Sequence, residues 1–367
     1  VAHRGDDARI VHREAQALLA AGHEVVLIAP DPGPASRERD PEGLERVDVP
    51  RATGRRRVGS WRAARRAVSR HGRRSDVVIV HDPELVPVLG WTRGSWRRAA
   101  LIWDVHEDYV ASVPTRRYLP SWSHRPLQMA LGGLERLART RFTLIAAEDA
   151  YRDRLGDVVV IPNSAVVPKE PAPYRDPPRV VYVGRLSLGR GVAEMIALAR
   201  RLHEEHLARL VLVGAADAEV GARLDDAVAE GILDWTGPLP SPDALEVVRG
   251  ALAGLSLLHD EANYRISRPT KCVEYLAAGV PVITTPLPLA AELVEMSGGG
   301  VVLSAFTGDE VVEECLIAIR TLVTETNRRR DLGRHGHAYV AVHHDWGRGS
   351  EIFVGHVESV AGGPRSR

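Results

Sequence analysis

The sequence predicts an α/β protein built as two doubly wound parallel-sheet domains, and three observations carry that expectation. Short apolar runs closed by polar, Pro or Asn residues recur along the 367-residue chain, as strands buried on both faces of a parallel sheet require. Stretches of helical periodicity lie between them, giving βαβα alternation. The alternation breaks once, at 165–179 (AVVPKEPAPYRDPPR), where five prolines without any periodic pattern mark a linker.

In order, VAHRGDD reads as the end of a strand that begins upstream. RIVHREAQALLAAG is a helix stopped by Gly22, and EVVLIAP is a short β-branched run ending at Pro30. A loop rich in Pro, Gly and Asp follows. Then come SDVVIVHDP, ALIWDVHED, RFTLIAAED and VVVIPN as strands, with RPLQMALGGLERLAR as a helix among them. Beyond the linker, VVYVGR, LVLVG, ILDWTG, LSLLHD, VPVITT and GVVL read as strands. Residues 191–206, 217–230, 242–250, 269–278 and 309–325 read as helices. WGRGSEIFVGHVESVAGG is an amphipathic helix with no strand after it, expected to pack back across the first domain. The domains are therefore placed at 1–168, completed by a helix at about 345–362, and at 169–344. Each is Rossmann-like, and their ligand-binding edges are expected to face a central cleft.

Composition narrows the function. With 44% hydrophobic residues and 48 basic against 48 acidic side chains, the chain is neither disordered nor a polybasic nucleic-acid binder. Two cysteines, Cys272 and Cys315, make no disulfide framework or zinc cage, and no apolar stretch is long enough to span a membrane. With no leader sequence seen, a cytoplasmic protein is expected. Lysine occurs only at 169 and 271, so 46 of the 48 cations are arginine. A lysine in such a chain invites a reason.

Open parallel sheets bind ligands beyond the carboxyl ends of their strands, and three clusters lie there. VVYVGRLSLGRG runs a strand into a turn with Gly184, Gly189 and Gly191, beside Arg185, Arg190 and a helix N-terminus. That combination suits a diphosphate; it equally suits a βα turn with surface arginines. In SRPTKCVEYLAAGVPVITT, Lys271, Glu274 and Tyr275 project within about one turn. The carboxylate can accept from a vicinal diol such as ribose and the lysine can reach a phosphate, or the two form a surface ion pair. His81 and His106 end N-terminal strands, where imidazole can bind a hydroxyl or take a proton near neutrality. Asp82, Glu84, Glu107 and Asp108 add acceptors, and the pattern is that of a polyol site. No metal site is evident, and Arg185, Arg190 and Lys271 carry charge enough to stand in for one.

Together these motifs resemble family 4 of the retaining glycosyltransferases of GT-B fold. GRLSLGRG is similar to the family's GRL…KG motif and PTKCVEYLAAGVPVI to its donor segment P-x-K-x-x-E-Y-x-A-x-G-x-P-V. HDPELVPV followed by DVHEDY is similar to a bacterial branch, and HRGDDARIVHREAQALLAAGHEV to the usual first βα unit. The resemblance covers most of the chain in order. It implies transfer of a sugar, with retention, from a nucleoside-diphosphate sugar to a hydroxyl acceptor: a saccharide, a lipid-linked saccharide or a natural product. It implies no cofactor beyond that co-substrate. It assigns Arg185 and Arg190 to the departing diphosphate, Glu274 to the ribose, His106 to the sugar, Gly5 to the phosphates and the turn around Trp235 to the base. Lys271 and Tyr275 join the donor set; His81, Asp82, Glu84 and Glu107 form the acceptor side. Two positions depart from the pattern. Ile266 stands where many relatives carry a second glutamate, with Asp260, Glu261 or Asn263 as substitutes for it. Arg190 replaces the usual lysine, keeping charge and changing geometry.

Two other readings compete: a GT-B-fold nucleotide-sugar epimerase, and a degenerate transferase acting as a binding subunit. Residues 51–74 hold ten arginines and no acid, with Trp61, Ala64 and Val68 on one helical stripe. That is the pattern of an anionic membrane-surface contact, or of a solvated helix face in an arginine-biased protein.

Overall fold

The computed structural model describes residues 5–52, 54–91, 95–106, 109–110, 113–114 and 120–362, with the backbone alone at 55, 95 and 97. The chain divides into two compact units, Val1–Asn163 with Gly347–Arg367, and Ser164–Trp346. All strand pairing is parallel.

In the first unit, residues 8–20 form one helix whose Ile10–Ala15 stretch is π-helical. Arg9, Arg13 and Glu14 are buried along it; such π segments tend to sit at functional sites. Strands β1 (Val26–Ala29) and β2 (Glu45–Asp48) pair with each other. The latter strand falls in the stretch expected to be a loop, because ERVD carries charge at both ends and no apolar run. Strands β3 (Val77–Val80), β4 (Ala100–Val105), β5 (Thr143–Ala146) and β6 (Val159–Val160) form a four-stranded sheet in sequence order. Its core gathers Trp96, Trp103, Val105, Phe142, Leu144 and Tyr151. The final helix, Trp346–Gly362, belongs to this unit from Gly347 onward. Its Phe353 is fully buried and Glu358 meets His23 at 3.0 Å.

In the second unit, β7 (Arg179–Val183), β8 (Arg209–Val213), β9 (Leu233–Trp235), β10 (Ala253–Ser256), β11 (Val282–Thr284) and β12 (Gly300–Val302) form one sheet in the order β12-β11-β10-β7-β8-β9. Val180, Tyr182, Leu210 and Leu212 enter the core on one face; Val181, Val211 and Val213 enter the core on the other. Period-two alternation with both faces covered is why these strands read as unbroken apolar runs.

The helices Pro288–Ser297 and Thr326–His343 are additions to the expected set. The latter contacts its neighbours through Gly333 and Gly336: a Cβ at 333 would lie 2.4 Å from the Gly279 carbonyl oxygen, and one at 336 would lie 2.5 Å from Leu276. A glycine seam carries no apolar periodicity, so the pattern does not betray the helix. Cys272 and Cys315 are free and buried. Among the described residues no helix is long and apolar enough to cross a membrane.

Candidate functional site

Two clusters of sequence-predicted residues form, one in each unit. In the first, β3 and β4 deliver His81 and His106 just past their carboxyl ends, flanking Asp104 inside β4. Asp104 is fully buried and takes contacts from both rings: His106 Nδ1 at 3.1 Å and His81 Nδ1 at 3.4 Å from Oδ2. Arg9 binds the same carboxylate with two nitrogens, Nε to Oδ2 at 2.9 Å and Nη2 to Oδ1 at 3.0 Å. Glu14 completes the group, 3.0 Å from Arg9 Nε and 3.6 Å from His81 Nε2.

Electrostatics divide the two carboxyls. Burial alone would raise both. Arg9, with the two histidines, holds Asp104 well below the usual carboxylate range. Burial and the neighbouring Asp104 charge push Glu14 well above its range. The two carboxyls are thereby pushed in opposite directions. With Asp104 ionised, His106 donates from Nδ1, leaving Nε2 for other chemistry.

Neither Arg9 nor Glu14 was among the predicted site residues, and no local motif marks them. The available signal is their charge on the inner face of an otherwise apolar helix. No spacing in the sequence marks a metal-ligand set, yet the fold brings three potential ligand atoms together. His81, Asp104 and His106 each offer a ligand atom, all within 4.8 Å of one another. Both Asp104 oxygens already accept from the Arg9 guanidinium, so a metal would compete with a fixed cation.

The other predicted residues of this unit are placed differently. Glu84 faces the helix Arg57–His71, accepting from Arg57 and, at 2.8 Å, from Trp61 Nε1. Asp82 is buried. Gly5 packs so tightly under Pro30 that a Cβ would lie 1.9 Å from its carbonyl oxygen. Glu107 and Asp108 lie outside the described residues.

In the second unit the glycine turn follows β7. Gly184 has φ +137°, and a Cβ there would lie 3.3 Å from Lys271 Nζ. The positive φ favours glycine here, and a side chain would press on the lysine. Lys271, on the helix Thr270–Ala277, is 7% exposed. Its ammonium lies 3.6 Å from the Tyr182 ring centroid, and its Nζ has no hydrogen-bond partner among the described residues. Burial, then the Arg190 charge, hold its pKa well below the usual lysine value. Arg190 packs over Tyr264 at 5.6 Å. Arg185 points outward and pairs with Asp217 at 2.6 Å. Glu274 is half-buried on the Lys271 helix. Glu261 approaches the turn too: a Cβ on Gly189 would meet its Oε1 at 2.3 Å.

Two predicted donor residues turn inward. Tyr275 is fully buried, and its hydroxyl accepts from the Val183 N–H at 2.8 Å. Trp235 is half-buried and donates from Nε1 to the Gly214 carbonyl at 2.9 Å. Each steadies the glycine turns from behind.

A model described as glycosyl transferase 4-like domain matches residues 8–170, and one described as glycosyl transferases group 1 matches 177–324. No curated protein matches the chain. Among solved structures, WaaG, a glycosyltransferase involved in lipopolysaccharide biosynthesis, is 16% identical with TM-score 0.61, over 96% of this chain and 95% of its own. Sucrose-phosphate synthase from Thermosynechococcus elongatus is 15% identical with TM-score 0.67, over 94% and 91%. Anabaena HepE, in complex with UDP and glucose, is 14% identical with TM-score 0.62, over 92% and 99%. The two-domain parallel α/β architecture is shared with all three.

Proposed function

We propose that the chain is a GT-B glycosyltransferase that moves a sugar from a nucleoside-diphosphate sugar to a hydroxyl acceptor with retention of configuration, a reading supported by the glycosyl transferase models that match residues 8–170 and 177–324. The observation that carries the reading is Lys271. A buried ammonium with no hydrogen-bond partner, beside Arg190 and under a turn whose positive φ favours glycine, is an unsatisfied cation site. A diphosphate is the anion whose charge and size match it.

In this reading Lys271, Arg190 and Arg185 stabilise negative charge as the nucleoside diphosphate departs, which is electrostatic catalysis in place of a metal. Arg185 exchanges Asp217 for phosphate. Glu274 accepts from the ribose, and the backbone around Gly5 and Gly184 lets phosphate come close. His106, its Nδ1 held by Asp104, serves the reacting sugar through Nε2. His81 and Asp82, with Glu107, serve the acceptor hydroxyl. No protein carboxylate acts as nucleophile; the departing phosphate takes the acceptor's proton on the same face. HepE and the pneumococcal O-GlcNAc transferase GtfA are each described in complex with UDP and a sugar, which supports a nucleotide-sugar donor.

The carboxylate–histidine network of the first unit favours one second reading, nucleotide-sugar epimerisation, which needs proton-transfer groups in that arrangement. Incubation with a panel of nucleotide sugars separates them. Slow release of free nucleoside diphosphate, quickened by an acceptor, supports transfer. A donor recovered with inverted sugar stereochemistry supports epimerisation. Binding with no turnover under any acceptor defeats both and leaves a binding subunit.

A further inference from the structure

The basic stretch that sequence reading nominates for membrane contact has its apolar side turned inward. On the helix Arg57–His71, Ala64, Ala67 and Val68 are buried, and Trp61 packs on the small core of Val49 and Ala52. A second segment of the same unit has the reverse arrangement. A 3₁₀ turn, Ser121–Ser123, leads into the helix His124–Ala138. Leu131 and Leu134 anchor it on the core, while Trp122, Met129 and Leu137 stand out at 79%, 76% and 50% exposure. Met129 and Leu137, eight residues apart, share one face over about 12 Å of helix at 1.5 Å per residue, and Trp122 stands in the turn seven residues before Met129.

Charge on this segment has one sign. Between 120 and 147 the sequence has one acid, Glu135, and four arginines, at 125, 136, 139 and 141. Glu135 is buried and paired with Arg154 at 2.5 Å. All four arginines are exposed. An apolar stripe led by tryptophan and rimmed by exposed cations, with its acid withdrawn into the core, complements a surface that is anionic outside and apolar just beneath.

We propose that the face of His124–Ala138 carrying Met129 and Leu137, with Trp122 in the turn before it, docks the protein on an anionic lipid bilayer. The three side chains enter the boundary between headgroups and acyl chains, and Arg125 and Arg136 meet lipid phosphates. This goes beyond sugar transfer and does not depend on it, since docking is read without turnover.

The full chain is sedimented with vesicles of phosphatidylcholine alone or with about 30% phosphatidylglycerol, where each cation near the surface adds appreciably to binding. The expected result is retention on the anionic vesicles, weakening steeply as salt shortens the Debye length. Trp122→Ser with Met129→Ser lowers the vesicle partition coefficient at least tenfold while leaving the thermal midpoint unchanged, because both side chains are exposed. Arg62→Ala with Arg66→Ala, on the inward-facing basic helix, lowers it no more than about twofold. The proposal fails if the double serine variant binds like the parent, if neutral vesicles bind equally, or if no vesicle binds. It also fails if the same serines instead abolish a concentration-dependent self-association, which would assign the face to a second copy of the chain.

Discussion

Arg9 and Asp104, ninety-five positions apart, are joined by two parallel hydrogen bonds of 2.9 and 3.0 Å inside the first unit. The same guanidinium reaches the Ile161 carbonyl at 3.2 Å and Asn163 Oδ1 at 3.3 Å. One side chain thus ties the first helix, β4 and the end of the β6 segment together. Two buried charges hold only when each satisfies the other. The consequence reaches His106, whose Nδ1 has an ionised acceptor beneath it whatever binds above.

Replacing Asp104 by Asn removes the bidentate partner of Arg9 and leaves Glu14, 3.0 Å from its Nε, as the remaining counter-charge in the interior. A loss of about 3–5 kcal/mol is expected for breaking such a pair, read as a fall in chemical-denaturation stability. Because the folded pKa of Asp104 is depressed, its contribution is present above the unfolded value of about 3.9 and is lost only as pH falls through the folded value. The parent should therefore keep this stability to below about pH 4, and the Asn variant should lack that acid-dependent step. A variant as stable as the parent at pH 7 would mean the pair contributes nothing.

Glu14 has the opposite sign. Its folded pKa is raised, so its contribution is fully present below the unfolded value of about 4.3 and is lost as pH rises through the folded one. Glu14→Gln removes the titration and keeps the shape. The thermal midpoint of the variant, less that of the parent, should grow from pH 5 to pH 9. A difference that stays flat over that range would show Glu14 ionising as an ordinary surface glutamate.

What the sequence disclosed follows from which signals are local. Apolar runs such as VVYVG and LVLVG mark strands because the parallel sheet covers both faces, so the two α/β units were legible. Strand Glu45–Asp48 and helix Thr326–His343 were not, since one is bounded by charge and the other packs through Gly333 and Gly336. At the candidate site, Lys271 stands out in the sequence by its rarity and His81 and His106 by their place at strand ends. Arg9 and Glu14 join them only through tertiary burial, and no spacing in the chain foretells that Asp104 lies between two histidines. Tyr275 joins the donor set in the sequence through one turn's proximity to Glu274, and in the structure its side chain lies in the core with its hydroxyl on the Val183 N–H.

The donor set makes a prediction that separates contact from support. Glu274→Ala and Arg185→Ala should each weaken UDP or GDP binding by tenfold or more, about 1.4 kcal/mol, with little change in thermal midpoint. Tyr275→Phe removes the acceptor of the Val183 N–H and should lower stability by about 1–3 kcal/mol, with nucleotide affinity changed far less. If the phenylalanine variant lost affinity as severely as Glu274→Ala while its melting was untouched, Tyr275 would touch the ligand after all.

Lys271 couples binding to protonation. Its amine is held down by burial and by Arg190, with Glu274 and Cys272 pulling weakly the other way and the Tyr182 ring against it. A depressed lysine favours folding above its unfolded pKa of about 10.4, and that advantage is lost as pH falls through the folded value. Below that folded value the free protein carries a cost for holding the charge. An arriving diphosphate reverses the balance by stabilising the ammonium, so nucleotide binding should take up a proton wherever the free amine is neutral. Titration calorimetry in two buffers of different ionisation enthalpy measures that uptake directly. Lys271→Met should abolish the buffer dependence and weaken binding at least tenfold, yet raise the thermal midpoint of the free protein below the folded pKa. Binding and stability moving in opposite directions is the signature of a charge kept for a ligand. A methionine variant that is destabilised and binds normally would make Lys271 a packing residue.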